Sequence, residues 1–160
     1  MAILMHLPGV PGESETAGYA GWHALTGFAW GASRSARSQA ARSLRGTAQV
    51  WTPQLRNIVV RRKANGQTAA LWRQMLSANP IPLVKFEWVR TGAAGPVPYF
   101  TVEITTARIV SLNDSSEGSH PIEQIEFHYQ TITLGTRNVG NQLAGAQDLV
   151  TYSIPVHAGG

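Results

Sequence analysis

Two stretches of strict alternation constrain this chain more than any other feature. Between Leu83 and Arg90, Val84, Phe86 and Trp88 alternate with Lys85 and Glu87; between Tyr99 and Leu112, Phe100, Val102 and Ile104 alternate with Thr101, Glu103 and Thr105. Successive side chains of a strand point to opposite faces, so a period of two gives each segment one apolar and one polar face. The intervening Thr91-Gly-Ala-Ala-Gly-Pro96 is made of turn residues and predicts a hairpin-like connection.

The same period recurs along the chain. Ile3, Met5 and Leu7 alternate with Leu4 and His6 until Pro8, Gly9, Pro11 and Gly12 impose a turn. A strand from about Gly21 to Trp30 is predicted to place Trp22, Ala24, Thr26, Phe28 and Trp30 on one core-facing side. Thr47 to Thr52 and Asn57 to Arg62 read as strands separated by Pro53. After a polar loop from Asn113 to Pro121, Ile122 to Leu134 carries Ile125, Phe127 and Tyr129 on one face before the apolar phase moves to Ile132 and Leu134, which predicts a bulge near Thr131. Leu149 to Ile154 reads as a last strand.

Only residues 66–79 change period. Leu71, Met75 and Leu76 fall on one side with Trp72 beside them, as in a helix packed on a sheet. Thr68 is the expected N-cap, and Asn79 with Pro80 the stop. Short strands with one helix predict a mainly β fold, a small closed β-barrel of two curled antiparallel sheets with one flanking α-helix. At 160 residues the chain fits a single domain, 1–160, since domains usually run about 100 to 200 residues.

Charge is sparse, 14% of residues against about 25% in average domains. A largely neutral surface suits contacts with other subunits. The net charge of +4 is local: without Arg34, Arg37, Arg42 and Arg45, basic and acidic residues balance at nine each. Those four lie in an aperiodic arm, 31–46, of Ala, Ser, Arg and Gln with a single Leu44. It reads either as a flexible loop or as an arm that orders against a neighbouring protein. The alternative is a small basic β-barrel that binds nucleic acid or a ligand through the Arg34–Arg45 arm; for nucleic acid the Arg61-Arg62-Lys63 run would add to it, with Trp51 or Trp72 for stacking. The more economical reading makes Trp72 a core residue and the basic run a solvated strand end.

Catalytic patterns are missing. Without Cys there is no disulfide, thiol chemistry or Cys-based zinc site. His6, His23, His120, His128 and His157 lie in five segments without metal-site spacing. Glu126 and His128 share a strand face and read as solvated; Glu13 and Glu15 flank a Gly/Pro turn and would act as a carboxylate pair only across a cleft. No G-x-S-x-G elbow or phosphate loop is present. The expectation is no enzyme, no cofactor and no metal. Apolar runs are too short to span a membrane, and Met1-Ala-Ile-Leu-Met-His-Leu-Pro lacks the basic start of a signal peptide.

The opening Met1 to Ser14, an apolar strand followed by Gly9-Val-Pro-Gly-Glu-Ser14, resembles the N-terminus of the haemolysin-coregulated protein (Hcp) family, the tube proteins of type VI secretion. Gly21-Trp22, the strand ending at Trp30-Gly31, the Gly/Ser/Arg loop and the run Pro121 to Thr133 extend the resemblance to about Leu134. Asn65-Gly-Gln-Thr68 departs from the family's acidic and Ser-Pro pattern before the helix, and the tail 135–160 is longer than the common form, as in a divergent or C-terminally extended member.

The resemblance implies a β-barrel that forms a homo-hexameric ring, stacks into a hollow tube, carries effector proteins in its lumen, and is driven out by a contractile sheath behind a spike protein. It also implies assembly in the cytoplasm and export without a signal peptide. In the family the loop after the second strand reaches the adjacent ring. Carried over, that role falls to Arg34, Arg37, Arg42 and Arg45, with Glu13 or Glu15 as acidic partners on the next ring.

Overall fold

A computed structural model describes residues 2–34, 53–92, 95–137 and 147–154. Its elements, in chain order, are β1 (Ala2–His6), β2 (His23–Leu25), β3 (Gly27–Ala29), β4 (Ala32–Ser33), β5 (Gln54–Leu55), β6 (Ile58–Lys63), α1 (Thr68–Leu76), β7 (Ile81–Gly92), β8 (Gly95–Ser115), β9 (Ile122–His128), β10 (Thr131–Thr136) and β11 (Asp148–Ser153). The fold is mainly β with one helix, as the alternation predicts. Expected residues 35–46 of the arm and the strand Thr47 to Thr52 lie outside the described residues.

β7 and β8 form the expected antiparallel hairpin, pairing Val84 with Ile104, Phe86 with Val102 and Trp88 with Phe100. The inward members of these pairs are mostly sealed from water: Val84, Phe86, Val102 and Ile104 are all 0% exposed. Burial of each such side chain stabilises by about 1.5–3 kcal/mol. β8 is long enough to serve two walls. Its first half pairs with β10 through Phe100 to Thr105, and its second half pairs with β9 through Arg108 to Ser115. Thr106, at φ +48°, turns the strand between the two. A β-branched residue rarely adopts that conformation, so the surrounding ladders must hold it there.

The hand-over explains the phase change in the predicted strand Ile122 to Leu134. It is two strands and not one strand with a bulge near Thr131. The ladder breaks at Tyr129 and Gln130, and Gln130 N–H donates to Thr105 O at 3.0 Å, beside the bend in β8. β9 then belongs to the wall with β6, whereas β10 belongs to the wall with β11.

The predicted strand Gly21 to Trp30 is also divided. β2 pairs with β1 and β3 pairs with β6, while Thr26 N–H between them donates to Arg61 O at 2.8 Å. Hydrogen-bonded neighbours therefore run β2-β1-β7-β8-β9-β6-β3, and the two ends of that path are consecutive pieces of one segment. The sheet curls round until chain continuity, and not a ladder, joins its ends. The break also shifts the facing residues: His23 and Leu25 are buried and Ala24 is exposed, contrary to the expected Trp22-Ala24-Thr26 face, while Phe28 and Trp30 do pack on the core.

β1 is covered on both sides. Met5 joins the main core; Leu4, from the opposite face, packs with Tyr19 and Val89 beneath Trp22. The loop between β1 and β2 makes this second cluster by folding back over the sheet. Helix α1 is shorter than the predicted 66–79 and rests on β8. Leu71 is buried, Met75 and Trp72 are partly buried, but Leu76 is 78% exposed and is not on the packed side. Gln67, not Thr68, precedes the helix; Thr68 Oγ1 instead accepts from Asn65 N–H while Asn65 Oδ1 accepts from Gln67 N–H at 2.8 Å. The arm begins as a ribbon, with Ala32 and Ser33 paired to Leu55 and Gln54.

Candidate functional site

Among the described residues, the buried polar side chains gather where the β1–β2 loop meets β6 and β9. His23, Arg62 and Glu123 are each 0% exposed. Arg62 and Glu123 are direct cross-strand partners on the inward face, and Nε donates to Glu123 Oε2 at 2.6 Å. The guanidinium also donates through Nη2 to Asn65 Oδ1 at 3.2 Å and lies 2.8 Å through Nη1 from His23 Nδ1. His23 Nε2 lies 2.7 Å from Val10 O, in the loop. A planar fork with several donors is well suited to serve three partners at once. Glu123 Oε1 is buried without a protein partner.

Glu13 closes the cluster from the solvent side. Asn65 Nδ2 donates to its Oε2 at 2.8 Å, Ala24 N–H to its Oε1 at 3.4 Å, and Arg62 Nη1 lies 3.9 Å away. Burial holds the His23 imidazole below its ordinary basicity, the carbonyl of Val10 opposes that, and neighbouring Arg62 adds to it. Tyr19 fixes the loop's other flank by donating to Glu87 Oε2 at 2.6 Å, and burial followed by this bond raises its pKa. Gly12 lets the two arms of the loop approach: Gly12 N–H donates to Gly21 O at 2.7 Å, and a side chain there would strike the backbone of Trp22 and His23.

Of the residues assigned to ring stacking, Glu13, Glu15 and Arg34 are exposed on the described surface, Arg34 immediately after β4. Arg37, Arg42 and Arg45 lie outside the described residues. The predicted solvated run Arg61-Arg62-Lys63 is corrected at its centre, because Arg62 is buried and neutralised by Glu123. Arg61 Nε donates to Gln124 Oε1 at 3.1 Å. Trp72 is partly buried, donates from Nε1 to Asp114 Oδ2 at 2.8 Å and packs on the core, as the core reading expects. Trp51 lies outside the described residues.

Glu126 and His128 do come together, through Asn57: its amide donates to Glu126 Oε1 at 3.0 Å, and its Oδ1 lies 3.2 Å from His128 Nδ1. No hydroxyl nucleophile joins them in these bonds. Among the described residues no group of three or more His, Cys, Asp or Glu could hold a metal ion, and no helix is long and apolar enough to cross a membrane.

The outer end of the β7-β8-β10-β11 wall has another character. β11 pairs only with β10 among the described strands, and all its residues except Tyr152 are exposed, including Leu149 at 59% and Val150 at 63%. The adjoining sheet surface is hydroxyl-rich, with Thr133 and Thr151 bonded at 3.0 Å and Thr131 and Ser153 at 3.4 Å. An edge strand carrying apolar residues on both faces and neither Lys nor Pro is suited to pairing with another chain.

Over residues 4–135 the chain matches the family model described as type VI secretion system effector, Hcp. No curated protein matches it by sequence. Among solved structures it is similar to a type VI secretion system effector from Yersinia pestis, with 15% identity, 95% of this chain and 99% of that chain covered, and a TM-score of 0.72. It is also similar to Hcp1 from Salmonella typhimurium, at 15% identity over 95% of this chain and 93% of that chain with a TM-score of 0.74. Likeness to the secreted protein Hcp3 from Pseudomonas aeruginosa reaches a TM-score of 0.65 at 16% identity, covering 95% of this chain and 97% of that one.

Proposed function

This chain belongs to the Hcp family of type VI secretion proteins, and from that premise we propose that it forms hexameric rings that stack into the secreted inner tube. The family is a structural, non-enzymatic component of the system, which accords with a chain whose sequence carries no catalytic pattern. The family match across residues 4–135, which runs from within β1 through most of β10, carries the reading. In it the protomer assembles in the cytoplasm, its rings hold effector proteins in the lumen, and the tube leaves behind a spike protein when the sheath contracts.

One feature of the protomer supports the assembly. The edge of β11 that no described strand pairs, with Leu149 and Val150, provides backbone donors, acceptors and apolar area for a neighbouring protomer. Contacts between unlike surfaces of identical chains close into a ring when the rotation allows. The stacking contact is assigned to Arg34, Arg37, Arg42 and Arg45 on one ring and Glu13 or Glu15 on the next.

Native mass spectrometry at two salt concentrations, with negative-stain images of the same sample, tests the proposal. A salt-resistant species at about six times 17.3 kDa, seen as rings, is the expected result. A monomer at both salt concentrations would overturn it. Binding to single-stranded nucleic acid that collapses as salt rises would favour the basic-arm alternative.

A further inference from the structure

We infer that His23 is a proton-operated latch on the loop between β1 and β2: neutral, it ties the loop to β6, and protonated, it releases it. The hydrogen-bond geometry dictates the neutral form. Val10 O can only accept, so His23 Nε2, at 2.7 Å, carries the ring hydrogen. Arg62 Nη1 can only donate, so Nδ1, at 2.8 Å, presents its lone pair. A second proton has one place to go, Nδ1, where it would meet the guanidinium N–H. Two donors and two positive charges would then face each other without water between them.

The groups around the ring define where the protonated form turns. Arg62 faces it from β6, and beyond the guanidinium Glu123 of β9 accepts from Arg62 Nε through Oε2 at 2.6 Å, its Oε1 buried without a protein partner. His6 of β1 is a further neighbour that disfavours positive charge on the ring. Glu13 of the loop is the remaining carboxylate, with Oε2 4.0 Å from Nδ1. It is held by Asn65 Nδ2 at 2.8 Å and by Ala24 N–H. Protonated His23 bonds Glu13 only if Glu13 leaves Asn65 and His23 leaves Arg62.

Acid thus exchanges two links to β6 and the turn after it, His23 to Arg62 and Glu13 to Asn65, for one link between Glu13 and His23. The turn bonds inside the loop, such as Ser14 N–H to Trp22 O at 2.9 Å, lose that support and open more often, while Tyr19 still holds Glu87. The loop therefore loosens as a unit and the barrel stays folded. The inference concerns one protomer and stands apart from ring formation; in a stacked tube the same movement would displace Glu13 and Glu15 from the assigned contact.

Hydrogen exchange read by mass spectrometry between pH 7.5 and 5.0, corrected for the intrinsic pH dependence of exchange, tests the latch. At pH 5.0 peptides within residues 8–24 are expected to exchange at least tenfold faster, with β7 and β8 unchanged. His6→Gln should keep this response and His23→Gln should abolish it. Loop protection independent of pH, simultaneous loss of protection in β7 and β8, or a response surviving in H23Q would each overturn the inference. Should H23Q not fold, NMR titration of the wild-type His23 ring replaces it: the ring and the loop must share one midpoint, and separate midpoints refute the latch.

Discussion

Arg62 and Glu123 stand opposite each other on β6 and β9, with Nε 2.6 Å from Oε2 and neither side chain reaching solvent. The pair joins two strands that are 61 positions apart in the chain and carries, through His23 and Asn65, the loop that follows β1.

Removing one partner strands a buried charge. Arg62→Leu is expected to destabilise the protomer by about 3–5 kcal/mol, whereas R62L combined with E123L should recover most of that loss. Urea denaturation of the single and double variants measures both. Equal destabilisation by R62L and R62L/E123L would mean that packing, not charge, dominates.

Stability should fall with acid through His23. Its folded pKa lies below the ordinary value of 6.5, so the unfolded chain takes up the proton more readily. The contribution is fully present above about pH 6.5 and declines as pH falls from there toward the folded value. Thermal unfolding at pH 7.5, 6.5 and 5.5 should show a decline that H23Q flattens.

Two leucines of α1 should part company. Leu71→Ala empties a fully buried position and should cost about 2–5 kcal/mol. Leu76→Ala, at a position 78% exposed, should fall within about 0.5 kcal/mol of wild type. Denaturation midpoints distinguish them.

Gly12→Ala should disturb the β1–β2 loop more than Gly66→Ala disturbs its own turn. A Cβ at Gly12 meets the backbone of Trp22 and His23, whereas one at Gly66 meets nothing within 4 Å. Crowding of this kind costs about 1–3 kcal/mol. Faster proteolysis within residues 8–22 of G12A would report it.

Replacing Arg34, Arg37, Arg42 and Arg45 together with Ser should weaken ring stacking while leaving single rings intact. Sedimentation and negative-stain length distributions give the readout, and tubes of undiminished length would remove the arm from the stacking contact.

The paired alternation of β7 and β8 was legible because strand facing is a property of neighbouring residues, and the sequence carries Val84, Phe86 and Trp88 against Lys85 and Glu87 without interruption. The same logic extended one step would have found the buried pair. Arg62 continues the inward phase of Ile58 and Val60, and Glu123 continues that of Ile125 and Phe127. Polarity hid them, because a charge at a strand end ordinarily faces water. His23 was less accessible to such reasoning, since the break at Thr26 reverses the facing of the residues before it.

The sequence by itself thus determined that the chain is mainly β, where its principal hairpin and helix lie, and which family its opening resembles. Tertiary structure alone decided that β8 serves two walls, that Leu4 is covered from outside, and that Arg62, Glu123 and His23 are drawn into one dry cluster. The physical reason is range: side-chain alternation depends on adjacent residues, whereas the burial of a charge depends on a partner that only long-range strand pairing can bring within hydrogen-bonding distance.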